Sequence, residues 1–159
     1  MNKEQVLGKY GYFDMVHNVT LKAVAQLKDD QLDFRPAPEM RTAKELLSHL
    51  FGQECALIEG IRNRRLAQAD FEAIDKDGLN TKTVAELIAY AKNCHQRAKA
   101  ALEQTTEEQI TGNMDTFFGS YPGWQLAMFA YDEHWHHRGQ FYTYLRLLGI
   151  EPVMLYSYE

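Results

Sequence analysis

The sequence predicts an all-α fold, a four-helix bundle formed by a single domain over residues 1–159. Apolar residues recur every three or four positions along four long stretches, which is the period of one helical face. Two of these stretches begin with a Thr-x-x-Glu capping box, at Thr42 and at Thr83, and this pattern marks a helix N-terminus. The alternating patterns typical of strands are too weak to build a sheet, so a helical bundle is favoured.

The first two predicted helices each carry one histidine on an apolar face. The first helix is expected over about residues 3–28, and a proline-rich link separates it from the second, which starts at Thr42 and ends near Arg65. The inner stripe of the first helix consists of Val6, Tyr10, Phe13, His17, Leu21, Val24 and Leu27. That of the second consists of Leu46, His49, Leu50, Gln53, Leu57 and Ile61.

The segment between the second and third helices, residues 66–80, is predicted to be a loop with at most one short helical turn. The third helix begins near Thr83, and His95 is expected to border its buried face. Polar residues and helix breakers fill residues 105–123, where an aromatic-rich stretch could pack over the end of the bundle.

The fourth helix is predicted over about residues 122–148. A proline near its start and Gly149 just after its end follow the usual asymmetry of helix termini. Arg138 in this helix is expected either to bind an anionic group or to pair on the helix surface, and the second is favoured. The tail after Gly149 is apolar enough to pack back onto the bundle.

Composition indicates an ordinary globular protein without a polyanionic partner. Hydrophobic residues make up 45% and charged residues 25%, as in typical soluble domains. The formal charge of -5 argues against nucleic acid as a partner, since phosphate binding needs a basic surface. No apolar run approaches the ~20 residues that cross a bilayer, and the first residues show no signal segment, so we expect no membrane partner and a cytoplasmic location.

A concentration of histidines in the fourth predicted helix indicates a metal site. Three of the six histidines fall within residues 134–137. Burying several titratable groups on one stripe is costly unless they are paired or coordinated. Glu133 lies four residues before His137, so the two side chains stack on one helical face and can share an ion. His49 would add a ligand from the second helix, and a site with three protein ligands leaves coordination positions open, as catalytic sites do.

Two neighbouring residues compete for the middle ligand position. Glu133 lies about 40° and His134 about 60° from His137 around the helix axis, so both can reach the ion. His136 points about 100° away from His137, and we expect it at the rim of a cleft or in a supporting hydrogen bond. Imidazole and carboxylate ligands suit a divalent transition metal, for which we expect zinc or nickel. The other side chains expected to line the pocket are Tyr10, His17 and Gln53.

The motif His136-His137-Arg138-Gly139-Gln140, followed by Tyr144-Leu145-Arg146, resembles the closing motif of the DinB/YfiT-like superfamily of proposed metalloenzymes. The segment 41–54, with Leu-Leu-Ser-His-Leu, resembles the second helix of that family, and the helix layout matches over essentially the whole chain. The resemblance implies an up-down-down-up bundle, often a homodimer, that holds a divalent metal through one histidine of the second helix and two histidines spaced i and i+4 in the last helix. Those positions here are His49, Glu133 and His137, so a glutamate stands where the family has its first histidine.

Relatives with assigned roles are metal-dependent transferases and isomerases that act with low-molecular-weight thiols. The resemblance therefore implies a metal-dependent enzyme with a small-molecule substrate, either a transferase of a small thiol or a hydrolase. The alternative is a non-catalytic stress-response bundle that binds a partner or dimerises and whose metal site is degenerate. Glu133 is compatible with both alternatives, the enzyme and the non-catalytic bundle, because a glutamate can coordinate a metal but also changes the charge of the site.

Overall fold

Four long helices form the body of the protein, and the computed structural model describes all residues from 1 to 159. None of its helices is both long enough and apolar enough to cross a membrane. The second long helix is central, because it packs extensively against the third and the fourth. The predicted all-α four-helix bundle is thereby confirmed. The long helices are α1 (Lys3–Val24), α2 (Ala43–Asn63), α4 (Val84–Gln104) and α6 (Gly123–Leu147).

Capping boxes fix the starts of α2 and α4, as the sequence predicts. The backbone N–H of Glu45 donates to the hydroxyl of Thr42 (3.1 Å), and the N–H of Thr42 donates to the Glu45 carboxylate (2.6 Å). Thr83 and Glu86 repeat this arrangement at α4. These paired bonds satisfy backbone donors that a helix leaves free in its first turn, so they define where each helix begins.

Two short helices and a hairpin occupy the segments between the long helices. The prediction of a loop over residues 66–80 was wrong, because Gln68–Leu79 forms helix α3. A second short helix, α5 (Glu107–Thr111), precedes an antiparallel hairpin of β1 (Asn113–Thr116) and β2 (Gly119–Pro122). The strand patterns in the sequence are too weak for a larger sheet. The hairpin forms nonetheless, because a tight turn brings two strands of four residues each into register.

A layer of buried polar side chains separates two apolar clusters inside the bundle. One cluster is built around Leu47, Phe51 and Phe141, and the other around Phe13 and Ile58. Apart from Ser48 of α2, the buried polar residues of the long helices fall near the boundary between the two clusters, so they meet at one level of the bundle. This polar layer consists of His17 and Thr20 of α1, Gln53 and Glu54 of α2, His95 of α4, and His134, His137 and Arg138 of α6.

Close packing of α3 on α2 depends on two glycines. A Cβ atom built on Gly78 of α3 would lie 2.7 Å from the Cβ of Ser48, and one built on Gly52 of α2 would lie 2.4 Å from the Asp75 carboxylate. Neither helix could approach the other as closely with a side chain at these positions. The glycines therefore set the distance at which α3 presents its side chains to α2.

Substituting Gly78 with alanine is expected to destabilise the protein by about 1–3 kcal/mol, because the added methyl group meets the rigid Cβ of Ser48. Gly11→Ala is the matched control, since a Cβ at this exposed position of α1 meets nothing within 4 Å. It should stabilise the protein by about 0.5–1 kcal/mol through higher helix propensity. Urea unfolding of the two variants would show opposite signs, and a Gly78→Ala protein as stable as the wild type would contradict the close packing.

Candidate functional site

The three metal ligands expected from the sequence lie next to one another at the edge of the polar layer, where the buried His137 meets the half-buried His49 and the exposed Glu133. We call His49 of α2 with Glu133 and His137 of α6 the outer group. The imidazole centroids of His49 and His137 are 5.0 Å apart, with the rings inclined at 72°. Glu133 Oε2 lies 3.2 Å from His137 Nε2. Side chains from two helices therefore converge at this point, although they are separated by more than eighty residues of chain.

Both imidazoles of the outer group are held through their Nδ1 atoms. His49 Nδ1 lies 3.1 Å from the Asp75 carboxylate, and His137 Nδ1 lies 2.8 Å from Gln140 Oε1. An acceptor at Nδ1 fixes the proton there and leaves the lone pair on Nε2, as in most metal-binding histidines. His137 Nε2 is buried and has no hydrogen-bond partner, although Glu133 Oε2 lies close to it, so the two donor atoms face each other as they would around a shared cation. The outer group thus presents imidazole nitrogens ready to ligate.

The protonation state of His137 suits this role. Burial lowers the pKa of His137, and the neighbouring His49 ring lowers it further, against an opposing effect of the Gln140 hydrogen bond. At neutral pH the ring is therefore uncharged, which is the form that binds a metal.

Sequence reasoning missed Asp75, because the residues around it were predicted to be a loop. Asp75 comes from α3, and its second carboxylate oxygen, Oδ1, is buried without a hydrogen-bond partner. The available signal was the spacing of Phe71, Ile74 and Gly78, which lie three and four positions apart on one helical face. Because only two of the twelve residues are large apolar side chains that pack inward, that signal is faint.

The outer group opens onto a cavity of about 640 Å³. Of the additional side chains expected to line a pocket, Gln53 lines this cavity. Tyr10 and His17 are instead buried in the bundle interior, and His136 is exposed beside Gln140, so these three do not line it. The complete lining is His49, Gln53, Leu57, Gln68, Phe71, Phe117, Phe118, Phe129 and Glu133.

A second set of possible ligands lies deeper in the polar layer. We call His17, Glu54 and His134 the inner group. All three side chains are buried, and their donor atoms lie within 4.8 Å of one another, so the inner group could hold a metal ion. The outer group does not reach this mutual proximity. Several inner atoms have no hydrogen-bond partner, namely both ring nitrogens of His17, Oε2 of Glu54 and Nδ1 of His134.

His134 belongs to this inner group. Its Nε2 lies 2.8 Å from the hydroxyl of Thr20, and its ring packs edge-on against Phe13. Burial lowers the pKa of His134 well below its ordinary value, and the charge of Arg138 adds to the shift. The ring is therefore neutral and turned towards α1. Of the two residues that compete for the middle ligand position, Glu133 is the one in contact with His137.

His95 is an ion-pairing residue of the core and not a border residue as expected. Its Nδ1 lies 2.7 Å from Glu54, its Nε2 lies 2.7 Å from Asp14, and its ring stacks on His17 with centroids 4.0 Å apart. Burial acts to lower the pKa of His95, but the two carboxylates outweigh it and the pKa is raised. Burial also raises the pKa of Glu54. Both shifts favour keeping a proton between the two side chains.

Arg138 is fully buried, so the prediction that it pairs on the helix surface was wrong. Its guanidinium carbon lies 3.9 Å from the centre of the Trp135 ring. The one hydrogen bond that it donates goes to the backbone oxygen of Val16, at 3.4 Å. Aromatic faces, which attract cations, therefore surround the guanidinium in the interior.

A family model, DinB family, matches residues 1–159. A relative in sequence is the uncharacterized protein YjoA of Bacillus subtilis (strain 168), which is 25% identical over 143 residues that cover 88% of each chain.

Solved structures show the same fold. A crystal structure of the DinB-like protein YjoA from Bacillus subtilis superposes with a TM-score of 0.75 at 26% identity and 96% coverage of both chains. A DinB-like protein from Bacillus cereus ATCC 10987 gives a TM-score of 0.74 at 20% identity, covering 97% of this chain and 99% of that one. The mycothiol-dependent maleylpyruvate isomerase gives 0.66 at 14% identity, over 87% of this chain and 60% of that chain, which is a likeness of fold alone. With a family match along its entire length, the chain belongs to the DinB family.

Proposed function

We propose that this protein is a divalent-metal-dependent enzyme that acts on a small molecule at the outer group. The observation that carries the proposal is the pair of imidazoles, from two helices, whose Nδ1 atoms are both fixed by acceptors and whose rings lie 5.0 Å apart beside Glu133. The inner group lies away from the cavity lining, whereas His49 and Glu133 line the cavity and a substrate can reach them.

The donor set suits a divalent transition metal. Two imidazole nitrogens and one carboxylate oxygen are the ligands of many catalytic zinc sites, and they also suit nickel. The Nε2 atom of His137 is buried and has no hydrogen-bond partner. A cation bound to it would remove the free-energy cost of an unsatisfied polar atom in the interior. A divalent ion held here would lower the pKa of a coordinated water or thiol and so supply a nucleophile near neutral pH.

The chain's own residues would position the ion and the substrate. Asp75 and Gln140 orient the two imidazoles, and the apolar walls of the cavity exclude water from one side. The amide nitrogen of Gln53 is buried without a partner in the cavity lining, which makes it a donor available to a substrate oxygen. Hydrolysis of a small electrophile is the reaction to assay first. Thiol transfer is the second candidate, because the fold resembles that of a mycothiol-dependent isomerase.

Asp75→Asn tests the proposal at the residue that orients His49. Loss of the carboxylate is expected to weaken Zn²⁺ binding by about 10–100-fold, because the His49 ring loses its charged acceptor. Asp77→Asn, an exposed position on the same helix, is the matched control and should bind Zn²⁺ as the wild type does. Isothermal titration of protein purified without an affinity tag measures both. Equal affinities in the two variants would show that Asp75 supports no metal at His49.

A further inference from the structure

Two large aromatic side chains are exposed at the tip of the hairpin, in the cavity that also contains His49 and Glu133 of the outer group. Phe117 is 52% and Phe118 41% exposed. They are the two loop residues of the hairpin, because Thr116 pairs with Gly119. Such loops usually carry glycine, asparagine or aspartate, so neither local turn preference nor burial explains two phenylalanines here. Departures of this kind from local rules tend to mark functional positions.

The hairpin tip is held in place by its own hydrogen bonds. The hydroxyl of Thr116 accepts from the backbone N–H of Phe118 (3.2 Å) and donates to the backbone oxygen of Gly119 (2.7 Å). Gly119 has a φ of +143°, and a Cβ there would lie 2.9 Å from the Tyr121 ring. Thr116 is also bridged to Leu66, just before α3. The two phenylalanines are thus presented on a braced turn.

The exposed rings extend an aromatic wall along one side of the cavity. Phe117 packs edge-on against Phe71 of α3 (5.6 Å between centroids) and against Phe118 (4.9 Å). Phe118 is followed by Tyr121 (5.6 Å) and then by Phe129 of α6 (5.2 Å). Three separate elements therefore contribute to one apolar surface, and its free faces line the cavity that also contains His49 and Glu133.

The charges in the cavity indicate what kind of molecule would bind there. None of the nine lining residues is a lysine or an arginine, and the only carboxylate among them is that of Glu133. An anionic group on the body of a ligand would find no counter-ion on the aromatic wall. The cavity of about 640 Å³ falls within the range of small-molecule sites, whereas a protein partner would need a larger and flatter surface.

We propose that the hairpin tip is a binding element for uncharged aromatic small molecules, which it holds by ring stacking with their polar end directed at the outer group. This inference rests on the proposed function, because the outer group supplies the chemistry, but binding of the aromatic body requires no metal. Phe117 and Phe118 are thus specificity-determining residues of the pocket.

The test is a fluorescence titration of the full chain with 2-naphthol, an uncharged probe, and with naphthalene-2-sulfonate, its anionic counterpart. In metal-free protein, 2-naphthol should bind at least about tenfold more tightly than the sulfonate. The double variant F117A/F118A should weaken 2-naphthol binding about tenfold or more, since two stacking faces are lost. Tyr156→Ala removes an aromatic side chain that is 59% exposed but lies outside the cavity, and it should leave binding unchanged.

Several results would overturn the inference. Unchanged 2-naphthol affinity in the double variant, with a wild-type circular dichroism spectrum, would show that the tip does not bind aromatic ligands. So would tighter binding of the sulfonate, or a wild-type dimer that dissociates in the double variant, because the tip would then be a subunit contact. The metal proposal fails separately: if the wild type binds 2-naphthol but no metal, the aromatic site stands while the outer group's assignment falls.

Discussion

His137→Ala is expected to remove metal from the outer group, so that the metal content falls from about one ion per chain to near zero and Zn²⁺ affinity drops by more than about 100-fold. His137 supplies an imidazole nitrogen that is buried and unpartnered, and its ring lies between His49 and Glu133. Any metal-dependent activity would be lost with the ion. Elemental analysis and calorimetry of protein purified without a nickel column measure the effect.

His136→Ala is the matched control for this substitution. It removes the same residue type from the adjacent position of α6, but His136 is exposed and does not line the cavity. Its metal content should stay at about one ion per chain, because His136 contacts the site only through its hydrogen bond with Gln140 (3.1 Å), and the Gln140 oxygen can still accept from His137 Nδ1. If instead His137→Ala keeps its ion and Glu54→Gln loses it, the metal belongs to the inner group and the proposed catalytic site is misplaced.

Glu54→Ala is expected to destabilise the metal-free protein by about 3 kcal/mol, because it leaves the protonated His95 in the core with one carboxylate where it had two. Glu54 is fully buried, so bulk solvent does not reach His95 to compensate the lost carboxylate. The surviving Asp14 keeps the effect at the lower end of the range for a broken buried ion pair.

Glu59→Ala provides the comparison on the same helix. Glu59 also accepts from a residue of α4, Arg97, at 2.9 Å, but this pair is partly exposed. Its loss should cost about 0–1 kcal/mol. Urea unfolding in the presence of EDTA gives both values, and a Glu54→Ala protein no less stable than Glu59→Ala would show that the buried pair contributes nothing to stability.

The long helices could be predicted because their signals are local. Apolar periodicity and the capping boxes at Thr42 and Thr83 are read within a few residues, and both boxes are present in the structure. Helix α3 could not be predicted in this way. Its twelve residues carry two large apolar side chains that pack inward, and it is held by the close approach to α2 at Gly52 and Gly78, a contact between segments that the sequence keeps apart.

In the candidate site, too, the contacts within one helix could be predicted from the sequence and most contacts between helices could not. The pairing of Glu133 with His137 follows from helical spacing, and the place of His49 beside them was proposed from its position on an apolar helix face and implied again by the family resemblance. The inner group was missed because each histidine was weighed on its own helix, whereas Glu54 and His134 lie 37 and 117 residues after His17 in the chain. The usable signal was that every long helix interrupts its apolar stripe with a polar residue at a similar level. Cytoplasmic location and a homodimer stay predictions.

The inner and outer groups both include residues of α6, so the central question is which of the two groups holds the ion. Anomalous diffraction at the zinc edge, from crystals of zinc-loaded protein, answers it directly. The proposed function predicts a peak about 2.0–2.2 Å from nitrogen atoms of His49 and His137 and from an oxygen of Glu133. A peak confined to His17, Glu54 and His134, or no peak at full zinc loading, would contradict it.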